Sequence, residues 1–132
     1  MYAVGGWEGT SRLDSVERYN SETNTWHSIP SLRMAVTSPA VVTHEGKQVV
    51  TAFLTFWFLE ILRTDSISLN PYFTGCLYVC GGAVLEDGDG IDLVQRYDSK
   101  TNEWTEVASM LIPRSGSAAC VLGGYIYVIG KA

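Results

Sequence analysis

The side chains that could carry chemistry are few and scattered. The densest set is Glu86-Asp87-Gly88-Asp89-Gly90-Ile91-Asp92, carboxylates in a glycine-rich stretch. A calcium loop needs oxygen ligands at alternating positions and a later bidentate glutamate. Asp87 and Asp89 suit the first places, but Ile91 breaks the series and the distal glutamate is missing, so a solvated acidic loop is expected. His27 and His44 stand alone, and Cys76, Cys80 and Cys120 have no zinc spacing. Cys80 and Cys120 sit in apolar runs, where a free cysteine serves as a small buried hydrophobe. Ser115 and Ser117 flank Gly116 without the Gly-x-Ser-x-Gly elbow of a serine hydrolase. Gly130-Lys131 lacks the earlier glycine and the following hydroxyl of a phosphate loop. These residues point to neither an enzyme nor a cofactor protein.

The composition narrows the partners. The 132 residues suffice for one core. A net charge of −5 with no Lys/Arg cluster offers no footprint for nucleic acid or for an anionic membrane surface. Val49–Leu59 is uncharged and largely apolar, with Phe53, Phe56, Trp57 and Phe58. A membrane span needs roughly 20 such residues, and Glu60 and Arg63 close the run early, so no span is expected. No signal peptide, glycosylation sequon or lipidation tail is apparent, which makes a cytoplasmic location the expectation.

The elements that would position these residues come in copies. Tyr2-Ala3-Val4-Gly5-Gly6 matches Tyr78-Val79-Cys80-Gly81-Gly82. Ser15–Asn20 matches Leu93–Asp98, and Thr23-Asn24-Thr25-Trp26 matches Thr101-Asn102-Glu103-Trp104, at a constant offset of 78 residues. A third copy opens at Tyr127-Val128-Ile129-Gly130. The apolar runs ending in glycine, and the Asn and Ser turns that bond back to backbone, predict short antiparallel strands. They should cover Tyr2–Gly6, Leu13–Tyr19, Thr25–Ile29, Ser38–Thr43, Leu77–Gly82, Ile91–Tyr97, Glu103–Val107, Gly116–Leu122 and Tyr125–Gly130. Self-similarity at such periods marks a repeat architecture.

The spacing is uneven. The glycine pair recurs after 76 residues, from Gly5 to Gly81, but the next interval, Gly81 to Gly130, is 49. Residues 48–76 are surplus, and removing them joins Gly46-Lys47 to Leu77-Tyr78 in an uninterrupted repeat. This insert is expected to loop out of a hairpin as a helix or disordered excursion, with translated intron or an alternative exon as its origin.

The glycine pairs, Ser15-Val16-Glu17-Arg18-Tyr19-Asn20, the Thr-Asn-x-Trp turns and Pro113-Arg114-Ser115-Gly116 resemble the kelch repeat, and more narrowly the kelch-like proteins that carry a BTB domain upstream. The resemblance covers all residues except roughly 48–76. It implies an all-β fold, a partial kelch β-propeller. Residues 1–37 would be the last three strands of a blade, 38–47 with 77–107 a complete four-stranded blade, and 108–132 the first two strands of a further blade. A propeller ring has 4–8 blades, so the sequence is read as a truncated or splice-variant fragment.

The resemblance also implies a site. In kelch-like proteins an arginine before the dipeptide that opens a blade's innermost strand can face the mouth of the ring and contact an acidic peptide. Arg114, followed by Ser115, matches that position, whereas the earlier copy has Val36. A guanidinium fork suits bidentate binding of carboxylates. Trp7 and the Ala83–Ile91 loop, with Asp87 and Asp89, would border the same face. The implied function is a protein-binding module, the substrate-recognition part of a BTB–kelch adaptor for a cullin-3 ubiquitin ligase. Cullin-3 would be reached only through a BTB domain absent from these residues. A cytoskeletal kelch protein that binds actin, or an inactive fragment, are the alternatives.

Overall fold

The computed structural model describes residues 1–44, 64–68, 75–84, 89–122 and 124–130. They form ten strands: β1 (Tyr2–Trp7), β2 (Arg12–Asn20), β3 (Thr25–Ile29), β4 (Ala40–His44), β5 (Thr64–Ser68), β6 (Cys76–Cys80), β7 (Val94–Asp98), β8 (Glu103–Val107), β9 (Ala118–Leu122) and β10 (Tyr125–Ile129). All pairings are antiparallel. The sheets run β1-β2-β3, β4-β6-β7-β8 and β5-β10-β9. The fold is a partial β-propeller, and no helix occurs among the described residues.

Turn chemistry explains why the two copies fold alike. Asn24 and Asn102 take positive φ of 55° and 60°, a conformation asparagine tolerates better than most side chains. Each accepts a 2.7 Å hydrogen bond on its side chain, from the hydroxyls of Tyr19 and Tyr97. The Tyr19–Trp26 and Tyr97–Trp104 ring centroids lie 5.2 and 5.3 Å apart. Asn20 and Asp98 cap the following turns through the amides of Glu22 and Lys100. Beyond the strands, Leu32 donates its amide to Asp14 O, and Met110 to Asp92 O.

The sheets pack face to face, and the complete one is buried on both sides. Along β6, Cys76, Tyr78 and Cys80 face one core with Val94, Met110, Ala119, Ile126 and Val128. Leu77 and Val79 face a second core with Val16, Leu32, Val36, Tyr97 and Trp104. Successive strand residues point to opposite faces, so a doubly covered strand reads as a continuous apolar run. Two polar groups also hold the first interface: Trp104 Nε1 donates to Pro30 O at 2.7 Å, and the buried Gln95 amide bonds the backbone N–H and C=O of Met34. Trp26, the counterpart of Trp104, is 46 % exposed against 8 %.

The insert differs from expectation in its described part. Thr64–Ser68 is a strand, not a helix or a disordered excursion, and it pairs with β10 from Thr64↔Ile129 to Ser68↔Tyr125. The interrupted hairpin is closed, with His44 opposite Cys76 and Thr43 opposite Leu77. Cys76 therefore belongs to β6, one residue before the strand start counted from the repeat. The apolar Val49–Leu59 run lies outside the described residues. No described helix is long and apolar enough to cross a membrane.

Candidate functional site

The glycine pairs lie at one end of the blades, Gly5-Gly6 inside β1 and Gly81-Gly82 just after β6, and a backbone network ties that end together. Gly6 donates its amide to Val36 O at 3.1 Å, and Gly82 does the same to Arg114 O at 2.8 Å. Thr37 and Ala83 exchange both hydrogen bonds. Gly116 N donates to Ser38 O, Arg114 N to Ile91 O and Ile91 N to Gly82 O. Single bridges link Ala83 with Gly90 and Ile91 with Arg114. All three sheets thus meet through backbone hydrogen bonds, which hold the intervening loops on a stiff base.

Close approach dictates glycine at two places here. A Cβ on Gly81 would lie 2.4 Å from Arg114 O, and φ there is +66°. A Cβ on Gly90 would fall 2.5–2.7 Å from the carbonyl carbon, Cα and amide nitrogen of Arg114. Gly5 meets Val36 O in the same way as Gly81 meets Arg114 O, so the correspondence of Val36 with Arg114 in sequence is also one of position.

Arg114 is drawn inward at this end of the blades. It is 1 % exposed, and its Nη1 donates to Gly130 O. The side chain is thus enclosed beside the end of β10. The backbone of Arg114 is what Gly90 and Ile91 pack against. The neighbouring Ser115 is half-buried.

The other expected contacts are on the surface. Trp7, at the end of β1, is 51 % exposed. The Arg12 guanidinium carbon stands 5.7 Å from its ring centroid, within cation–π range. Sequence reasoning missed Arg12; the signal was available in the hairpin, where Trp7 and Arg12 are directly opposed across a turn bonded from Glu8 N to Ser11 O. Asp89 is exposed beside Gly90, while Asp87 lies outside the described residues. The structure connects the Asp89 and Ser115 regions through Arg114 and Ile91, and ties the Trp7 strand to them through Val36, Thr37 and Ala83.

His27 Nε2 lies 2.8 Å from Thr25 Oγ1 on an exposed strand. Among the described residues, no group of His, Cys, Asp and Glu is placed to hold a metal. Burial pushes the Cys80 thiol up to about 12 and also raises Cys76, Tyr78 and Tyr97, which keeps all four protonated at neutral pH. A thiol held in that state is a poor nucleophile.

Comparison with known proteins agrees with this geometry. The Kelch motif family model matches residues 1–33 and 72–111, more than half of the sequence. Kelch-like protein 35 of Mus musculus is 33 % identical over 130 residues, covering 98 % of this chain and 17 % of that protein. Kelch-like protein 21 of Danio rerio is 49 % identical over 56 residues, covering 42 % and 9 %. Alpha-scruin of Limulus polyphemus is 26 % identical over 162 residues, covering 98 % and 17 %. The chain thus spans no more than about a sixth of the length of these relatives. The solved structure of YjhT matches in fold with a TM-score of 0.57 at 14 % identity, over 95 % of this chain and 32 % of that one. With its repeated glycine pairs and Tyr–Asn–Trp turns in place, the chain belongs to the kelch-motif family.

Proposed function

We propose that the chain is a protein-binding kelch module whose partner surface is the loop end of the blades, with Trp7 as its anchor. The observation that carries this reading is a half-exposed tryptophan, backed by Arg12, on a base stitched by backbone hydrogen bonds. Tryptophan and arginine dominate binding energy at protein interfaces, and a stiff base lowers the ordering cost. Asp89 and the half-buried Ser115 supply the polar rim. Arg114 contributes by positioning the loop.

By its likeness to the kelch-like proteins, the finer reading is that of the substrate-recognition part of an adaptor for a cullin-3 ubiquitin ligase. The test is affinity capture with the parent protein and with Trp7→Ala, followed by calorimetry with the retained protein. A tenfold or greater loss of affinity in Trp7→Ala, with an unchanged circular dichroism spectrum, supports the loop-end site. Unchanged affinity overturns it. Co-sedimentation with actin filaments that does not depend on Trp7 favours the cytoskeletal alternative.

A further inference from the structure

We propose that Thr64–Ser68 is a built-in stand-in for the third strand of the blade that β9 and β10 open, occupying the edge of β10 that a kelch third strand would otherwise take. In the complete blade, β6 carries β4 on one edge, with Ala40 opposite Cys80, and β7 on the other, from Cys80↔Val94 to Cys76↔Asp98. The repeat sets Tyr125–Ile129 on Cys76–Cys80, with Tyr127 at the place of Tyr78. β9 then lies where β4 lies, with Ala118 opposite Ile129. On the far edge, Ile129 pairs with Thr64, Ile126 with Ile67 and Tyr125 with Ser68. Thr64 therefore stands at the register position of Val94, Asp65 at that of Gln95, Ser66 at that of Arg96, Ile67 at that of Tyr97, and Ser68 at that of Asp98.

Direction and register match the third strand across the whole length of β5. A slip of one residue would exchange the two faces, so the pairing as it stands fixes which residues of β5 share a face with which residues of β10. The segment is competent for the place: it has no Pro or Gly, and Thr64 and Ile67 are β-branched. Its reach is adequate. The seven residues between Ser68 and Cys76 can span roughly 23 Å, and packed sheets lie about 10 Å apart. An open strand edge recruits any extended segment through backbone hydrogen bonds. The edge of β10 is thus a binding site for an extended kelch third-strand segment of the type Leu93–Trp104, and the insert competes for it. This inference rests on strand pairing and does not depend on the loop-end reading above.

Two measurements test it. Ser68→Cys with Tyr125→Cys places thiols at directly opposed positions, whereas Thr64→Cys with Tyr125→Cys places them four residues out of register. Oxidation followed by peptide mapping should give a crosslink in the first pair and at least tenfold less in the second; equal yields would overturn the pairing. The second measurement is binding of a fluorescent peptide of sequence Leu93–Trp104. Deletion of Gln48–Gly75 should raise its affinity at least tenfold over the intact protein. As a milder release, Asp65→Pro and Ser66→Pro are compared in the undeleted sequence. Adjacent residues point their N–H groups to opposite edges, so one of the two loses a bond to β10 and the other does not. One proline should raise peptide binding and the other leave it near the parent value. Equal binding by parent, deletion and both proline variants would sink the proposal.

Discussion

Gly90 is glycine because the backbone of Arg114 leaves it no room, and Gly81 because Arg114 O does the same at a left-handed φ. Gly9 also has positive φ, +81°, but a Cβ there meets nothing within 4 Å. This separates steric overlap from backbone strain. Gly81→Ala should destabilise by about 2–4 kcal/mol, the left-handed penalty plus overpacking, and Gly9→Ala by only about 1 kcal/mol. Urea unfolding of the two variants checks the difference. The thiols and phenols of the core make a second prediction at this scale. Cys80, Cys76, Tyr78 and Tyr97 all have folded pKa values raised by burial, so the folded protein holds protons that the unfolded one releases. Their contribution to stability is fully present below the unfolded values and is lost as pH rises through the folded ones. For Cys80 the window runs from 9.0 to about 12, at up to roughly 1.4 kcal/mol per pH unit. The urea midpoint should be flat in this contribution at neutral pH and fall above pH 9. A Cys80→Ala background should show a shallower fall.

At the scale of the element, the two Tyr–Trp hairpins test how much of a strand's stability is its own. Their internal geometry is the same, but Trp104 reaches across to Pro30 O while Trp26 faces outward. Trp104→Phe leaves the half-buried Pro30 carbonyl without its indole donor and removes packing, and should cost about 2 kcal/mol. Trp26→Phe should stay within about 0.5 kcal/mol of the parent. Equal costs for the two, measured by thermal and urea unfolding, would mean that the interface between the first two sheets contributes little. Gln95 belongs to the same interface, and its clamp on Met34 explains why a buried amide is tolerated there: both of its polar atoms are bonded to backbone.

At the scale of the molecule, the insert does two things that a simple excursion would not. It leaves the β4–β6 hairpin closed, and it sends a strand to the edge of the next sheet. Deleting Gln48–Gly75 removes β5 but should leave the far-ultraviolet signature of the other nine described strands, because His44 and Cys76 already meet. It should also uncover the β10 edge, and uncovered edges self-associate. Sedimentation velocity should therefore show concentration-dependent association in the deletion variant beyond that of the parent. A deletion variant that is more monomeric than the parent would mean that β5 does not protect the edge.

What the sequence determined by itself is what is written within a dozen residues. The alternation of apolar runs with glycine pairs and asparagine turns specified nine of the strands, their antiparallel order and the matching Tyr–Asn–Trp geometry of the two copies, because turn conformation and strand period are local properties. The surplus of residues 48–76 was legible from spacing alone. The tertiary structure decided whatever depends on a neighbour distant in sequence. Trp26 and Trp104 occupy the same place in the repeat, yet one is open and the other covered, because burial belongs to the sheet packed alongside. The local stretch of Arg114 does not tell how deeply its side chain lies; burial beside the carbonyl of Gly130 belongs to the packing of distant residues. Thr64–Ser68 carries no repeat motif, and what makes it a strand is its pairing with β10, since a ladder of N–H and C=O groups selects its partner by backbone geometry rather than by side-chain pattern.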